Sequence, residues 1–444
     1  MSLFSAINTA ISGLSSQSSA FGNISEDVAN SQTVGFKRID TSFIDYLTTS
    51  TSTENQPGAV VARPDYVNNV QGSITQTDNP LGLAVAGQGF FAVSQATGEV
   101  NNVPTFNPQQ YYTRAGDFSM NSQGYLVNTA GQYLNGWSVN PVTNAVDQNA
   151  LVPIQVNQST YNPVATTNVT LSANLPATPT SGTATAAAPL SSQITVYDAL
   201  GTAHTVDLNW SQNAANDWSV QITVPDSTTG TTDAGAADVQ FGSLSTNPVA
   251  EGTIGQVAVS GTDPGTVASG GYIAGQAATL TFSTNFGSGN QSIQLNLGNY
   301  GGTTGVTQYA GTAYSLLGLT QNGVPPGSFS GVTAQANGDV IVNYNNGQTR
   351  TIAQIPLVTF NNPNALQGQD GQSFTSTLAS GTPLAEAVGT NGAGHLVTGS
   401  VEGSNVDIAT EFSHLIVAQQ AYSSNAKVVT TASQMLQATL QMVA

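Results

Sequence analysis

Residues 408–443 read IATEFSHLIVAQQAYSSNAKVVTTASQMLQATLQMV. Within them Ile408, Phe412, Leu415, Gln419, Tyr422, Ala426, Val429, Ser433, Leu436, Leu440 and Val443 recur at alternating steps of four and three. Those steps trace the a/d seam of a coiled coil. The other end repeats the rhythm more weakly through Phe4, Ile7, Ile11, Leu14, Ser18, Phe21, Ser25 and Val28. The long stretch between them is rich in Gly, Ser, Thr and Asn and shows no comparable helical period. The pattern predicts a multidomain α+β chain. A terminal α-helical coiled-coil stem, 1–30 with 405–444, would carry nested, discontinuous, mainly antiparallel β domains. Such a layout suits a subunit that assembles through its ends better than it suits an enzyme.

Composition narrows the partners. Only 7 % of residues are charged, and the net charge is −18. The six basic residues are Lys37, Arg38, Arg63, Arg114, Arg350 and Lys427. With no basic cluster to neutralise phosphates, nucleic acid is not an expected partner. An anionic membrane surface is equally unsuited. Eleven acidic residues and no basic one lie between Arg114 and Arg350, which suggests a well-solvated outer part. There is no cysteine, so a disulfide scaffold and thiolate metal sites are excluded. No run of apolar residues is long enough for a membrane span. The first residues lack the basic region of a cleavable signal peptide.

Along the chain, 31–75 reads as an irregular linker domain, with Thr48 to Gly58 polar. From Asn79 the period changes to two. Leu81, Leu83 and Val85 alternate, then Phe90 to Val93, Tyr111 to Arg114, Asp117 to Met120 and Tyr125 to Val127 follow at short spacing. These read as antiparallel hairpins of a first β domain, 76–155 with 335–404. An outer β domain, 156–334, holds a meander over Gln193–Tyr197, Ala203–Trp210 and Trp218–Val224. Residues 225–310 carry few large side chains in their first half and read as a possible separate insertion. Asn346-Gly347 predicts a type I′ turn between strands at Asp339–Tyr344 and Thr349–Ile355.

Chemistry-bearing patterns are weak. Gly87-Gln88-Gly89 lacks the third glycine of a dinucleotide fingerprint, since Ala92 stands there. The three histidines, His204, His395 and His414, are isolated. His204 near Asp198 and Asp207 could be drawn as a metal or acid–base trio, but a histidine on a hairpin face is the simpler reading. No catalytic, cofactor or metal residues are expected.

Three motif groups remain. The first is Ser12-Gly13-Leu14 with Ile24-Ser25-Glu26-Asp27-Val28-Ala29-Asn30-Ser31-Gln32-Thr33-Val34-Gly35-Phe36-Lys37-Arg38. The second is Asp78 to Val85, Gly87 to Val93 and Tyr112-Thr113-Arg114-Ala115-Gly116-Asp117-Phe118. The third is Ser400-Val401-Glu402-Gly403-Ser404-Asn405-Val406-Asp407 with Val417 to Lys427. In this order they resemble the bacterial flagellar rod–hook axial protein family. The long insert points to its hook-type members, with a distal rod subunit as the same-family alternative. A secreted β-rich adhesin or polysaccharide-acting protein is the alternative outside it. The resemblance implies a non-catalytic, cofactor-free subunit of the extracellular flagellum. It would be exported by the flagellar type III apparatus and polymerise into a flexible curved tube. That tube would transmit torque and enclose the export channel. Implied partners are further copies of the chain, the distal rod protein, the hook cap and the hook–filament junction proteins. Implied assembly residues are Phe4, Ile7, Ile11, Leu14, Phe21, Val28, Asn30, Gly35 and Phe36, with Ile408, Phe412, Leu415, Gln419, Tyr422, Asn425, Val429, Leu436 and Leu440. One departure stands out: Gln420 occupies a position where the family usually has Arg.

Overall fold

The computed structural model describes residues 3–443 apart from 51–54, 142, 229–231, 261–265, 270 and 271. The chain is mostly β, with one long helix towards each end: α1 (Leu3–Ala29) and α2 (Ile408–Val443). Helix α2 starts at Asp407. The Asp407 carboxylate accepts the Ala409 N–H at 3.0 Å and the Thr410 hydroxyl at 2.9 Å. Those donors, Thr410 first, hold the carboxyl below its ordinary range, as expected for an N-cap. Helix α1 closes on Asn30, whose backbone and side-chain amides both donate to the Glu26 carbonyl.

The chain divides into two compact units: 1–158 with 330–343 and 349–444, and 159–329 with 344–348. In unit 1, residues 31–75 are not an irregular linker. They contain β1 (Ile39–Ser50) and β2 (Asn55–Tyr66), paired antiparallel from Ile39↔Tyr66 to Tyr46↔Ala59 and beyond. The pair was hidden because its Ser, Thr and Asp content masks the alternation, and because helix α1 supports it. Ser16 donates to the Val60 carbonyl (2.8 Å), Ser12 accepts the Val60 N–H (3.0 Å), and Thr9 donates to the Gly58 carbonyl (3.2 Å). These hydroxyls satisfy the free edge of β2, which would otherwise expose unpaired backbone groups.

The rest of unit 1 is built on a large sheet with Phe91–Val100 near its centre, between Gln132–Val139 and Tyr111–Thr113. Phe90, Tyr112, Val358, Phe360 and Phe374 pack together against it. Asp339–Tyr344 does pair with Thr349–Gln354. The turn, however, is not type I′, because only Gly347 has positive φ (79°). A type I′ turn needs two such residues. Asn345-Asn346-Gly347 instead forms a three-residue loop closed by Gly347 N–H to Tyr344 O, 3.1 Å.

Among the described residues, unit 2 holds two sheets. One runs in sequence order through Leu190–Tyr197, Ala203–Ala214, Asp217–Thr223, Asp233–Phe241 and Ile254–Val259, all antiparallel. The other is mixed: Asn168–Asn174 pairs parallel with Asn290–Asn299 and antiparallel with Ser315–Gln321. Strict alternation sends Val206, Leu208 and Trp210, then Trp218, Val220 and Ile222, into one core. Phe241, Ile254, Phe282 and Leu295 join that same core. Residues 225–310 are therefore not a separate insertion within unit 2. Their large side chains are few but regularly spaced, which is enough to complete a shared core.

Candidate functional site

Helices α1 and α2 pack against each other within unit 1. Gly13 meets Asn425 so closely that a Cβ on Gly13 would lie 2.8 Å from Asn425 Nδ2. Phe21 meets Tyr422 edge to face, with ring centroids 6.3 Å apart. As the number rises along α1 it falls along α2, so the helices run antiparallel. The buried stripe of α1 is Ala10, Ser16, Ala20, Ile24 and Asp27; that of α2 is Glu411, Ala418 and Ala432.

That stripe departs from the predicted seam. On α1 the seam positions Phe21, Ser25 and Val28 give way to Ala20, Ile24 and Asp27. The shift is one residue, about 100° around a helix of 3.6 residues per turn. On α2, Leu415, Val429 and Leu436 are half-buried, whereas Gln419 and Ser433 give way to Ala418 and Ala432. Alanines take several of the buried positions. Of the large side chains that mark the period, Phe21 and Tyr422 touch but stay half-buried and exposed, respectively, and the others are exposed or half-buried. Phe4 (66 % exposed), Ile11, Ile408, Phe412 (51 %) and Tyr422 are exposed, as are Ile416 and Val417. Gln419 is exposed too. Ile7, Leu14, Phe21, Val28, Asn30 and Asn425 are half-buried. The side chain of Leu440 lies outside the described residues.

Gly35 and Phe36 belong to a different place, a buried ionic hub. Lys37 Nζ lies 2.5 Å from Glu402 Oε1, and Arg114 Nη1 lies 3.0 Å from Glu402 Oε2. All three side chains are buried. Lys37 also donates to the Val70 carbonyl (2.7 Å), and Arg114 to those of Val85 (3.2 Å) and Gly87 (2.7 Å). The guanidinium stands 5.1 Å over the Phe90 ring. Burial pulls the Lys37 pKa down, against the Glu402 charge, which raises it. Gly35, at φ 72°, donates to the Glu402 carbonyl at 2.8 Å. A Cβ on Gly35 would sit 2.2 Å from Ala115 N, so no larger residue fits. The Arg38 N–H donates to Asn405 Oδ1, and the Asn405 amide reaches the Val67 and Val70 carbonyls. Residues of all three sequence motifs thus meet at Glu402, one carboxylate answering two of the chain's six cations.

A second buried acid lies nearer the helices. Asp27 accepts the Ile39 N–H at 3.0 Å and 3.2 Å on its two oxygens. Burial pushes its pKa up to about 7; the Ile39 hydrogen bond opposes this, and Glu411, Asp40 and Glu26 add repulsion. In unit 2, His204 lies between Asp198 (3.6 Å) and Asp226 and stacks on Phe286 at 3.9 Å. Asp207 is not its partner, contrary to the sequence spacing. Burial works against the Asp198 charge, but the Thr202 and Leu200 N–H donors and His204 hold its pKa below the ordinary value. Among the described residues no group of acids and histidines is placed to hold a metal ion. No described helix is long and apolar enough to cross a membrane.

Three family models match the chain. They are the flagellar hook protein FlgE/F/G D1 domain over residues 84–174, the flagellar basal body protein FlaE D2 domain over 166–324, and the flagellar basal body rod FlgEFG protein C-terminal region over 397–442. Over 440 residues the chain is 30 % identical to the flagellar hook protein FlgE of Brucella suis biovar 1 (strain 1330), covering 98 % of each. The chain belongs to the flagellar hook protein family. The Escherichia coli (strain K12) hook protein FlgE is 28 % identical, over 97 % of this chain and 98 % of its own. Among solved structures, flagellar hook protein FlgE2 of Helicobacter pylori is similar at a TM-score of 0.46 and 13 % identity, covering 72 % of this chain and 98 % of that one. In this hook-family chain the matched C-terminal region includes Glu402 and nearly all of α2, and the matched D1 region includes Arg114.

The hub, the α1 hydroxyls that bond β2 and the burial of Asp27 were not singled out from the sequence. A usable signal existed for the hub alone. In so uncharged a chain, Lys37, Arg114 and Glu402 each fall inside a motif, and a charge kept in such a chain invites a search for its partner.

Proposed function

We propose that this chain is the structural subunit of the bacterial flagellar hook, polymerising head to tail with further copies of itself. The observation that carries this reading, beside family membership, is the exposure of large apolar side chains on the helices. Ala10, Ala20, Ala418 and Ala432 are buried, and Phe4, Ile11, Phe412, Ile416, Val417 and Tyr422 stand exposed. Exposed large apolar side chains that recur along paired helices mark an interaction surface. In the polymer these side chains, with the half-buried Ile7, Leu14, Leu415, Val429 and Leu436, would pack against neighbouring copies. The terminal helices would then form a coiled-coil inner wall around the export channel. The ionic hub would anchor that stem to the first β domain, 76–155 with 335–404. The outer domain, 156–334, would slide against its neighbours as the curved tube bends and transmits torque. The distal rod protein, the hook cap and the junction proteins would meet the tube at its ends, and the type III apparatus would deliver the subunit. Electron microscopy of assembled protein tests this. Curved tubes are expected; straight rigid rods would point to a rod subunit, and a wild-type chain that never assembles contradicts the reading.

A further inference from the structure

In unit 1 a pocket of about 370 Å³ opens between α1, β1 and α2. Ile24, Phe43 and Val417 give it apolar walls, and Glu411 supplies its acid. Glu411 is 1 % exposed, and its Oε1 has no hydrogen-bond partner. The other oxygen, Oε2, lies 3.5 Å from Nδ1 of His414. Asp40 also lines the pocket, but Arg38 answers it at 3.3 Å. A buried carboxylate oxygen without a donor is costly. Apolar walls around such an oxygen fit a cation carried on an apolar stem.

The chain's own inventory of cations is short. Lys37 and Arg114 serve Glu402, Arg38 serves Asp40, Arg63 donates to the Tyr46 hydroxyl, and Arg350 stands exposed on the strand Thr349–Gln354, outside the helix pair. Lys427 is exposed on α2 and makes no ion pair among the described residues. It follows Glu411 by about 24 Å along the helix and about 160° around it, at 1.5 Å and 100° per residue. A lysine side chain cannot cover that distance, so Lys427 cannot fill the pocket of its own subunit. Donor and acceptor on nearly opposite sides of one helix suit a head-to-tail contact, which generates rings or helical filaments.

We propose that the Glu411 pocket is a socket for Lys427 of a second copy of this chain, with the two α2 helices parallel and staggered by about 24 Å. The proposal rests on the reading of the chain as a self-polymerising subunit.

The chain has two lysines, and Lys37 is buried. Zero-length carbodiimide coupling of the wild-type polymer, followed by mass spectrometry, should therefore give an amide between Lys427 and Glu411. That product should be absent from the monomer. Lys427 joined only to other acids overturns the socket. Lys427→Glu alters an exposed residue, so the monomer should keep its circular dichroism while polymer yield falls roughly tenfold or more at low salt. Lys427→Arg should restore yield, and Arg350→Glu should leave it unchanged. Normal polymer from Lys427→Glu overturns the socket but leaves the assembly reading standing. A wild-type chain that never polymerises overturns both.

Discussion

The helix pair of unit 1 and the β core of unit 2 place their large side chains on opposite sides of their packing. In unit 2, alternation drives Trp210, Trp218, Phe282 and their neighbours fully inside. In the helix pair, Ala10, Ala20, Ala418 and Ala432 are inside and the phenylalanines at 4 and 412 are out. The first arrangement buries apolar area within one chain and holds its shape alone. The second leaves most of its apolar area for something else to cover, and a long helix without such cover draws little stability from packing. The difference separates a part that folds for itself from a part that completes its packing in company.

Trp218→Ala should give the largest effect, a loss of about 3–5 kcal/mol in the unfolding of unit 2, read by denaturant titration of the monomer. If Phe412→Ala costs as much in the same monomer, the contrast between the regions fails. Next is Glu402→Gln, which strands two buried cations. Removing one partner of a buried pair costs about 3 kcal/mol, so unit 1 should melt earlier while the tryptophan-centred core keeps its midpoint. A single midpoint moving for both would show the two regions to be one cooperative body.

Asp27 gives a smaller, pH-dependent effect. Its folded pKa, about 7, lies above its ordinary 3.8, so the folded state holds the proton more tightly. Its contribution is fully present below 3.8 and is lost as pH rises to about 7, after which the penalty is constant. At the steepest the slope is roughly 1.4 kcal/mol per pH unit. Asp27→Asn should flatten the dependence of unit 1 stability on pH between 5 and 8, and an unchanged slope would assign it to another group. The smallest monomer effect is Phe412→Ala itself, within about 0.5 kcal/mol as for other exposed positions. Its loss should appear instead in polymer yield.

Much of the fold could be read from residues whose period and size agree. The hairpin of Ser119–Met120 with Leu126–Val127 and the meander with Trp210 and Trp218 are such cases, whereas Leu83–Ala86 pairs not with its sequence neighbour but with His395–Thr398. The helices were legible as helices because Phe412, Leu415, Tyr422 and Val429 keep the period. Their buried face was not legible, since large apolar residues mark the period while Ala10, Ala20, Ala418 and Ala432 are among the most buried positions. The β1–β2 pair was missed for a related reason. Its edge is held by Thr9, Ser12 and Ser16 across more than 40 residues, and no local pattern encodes that. For the hub, the motifs mark which charges to pair but not the pairing itself, because a carboxylate's partners, here 288 and 365 residues away, are fixed only by the folded backbone.

The most direct test is side-chain footprinting with hydroxyl radicals on the wild-type monomer and on its polymer, compared residue by residue. Phe4, Phe412, Ile416 and Tyr422 should react readily in the monomer and be protected in the polymer, while Trp210 and Trp218 stay unreactive in both. Equal reactivity of the helix residues in the two states would contradict the claim that these helices complete their packing on neighbouring copies.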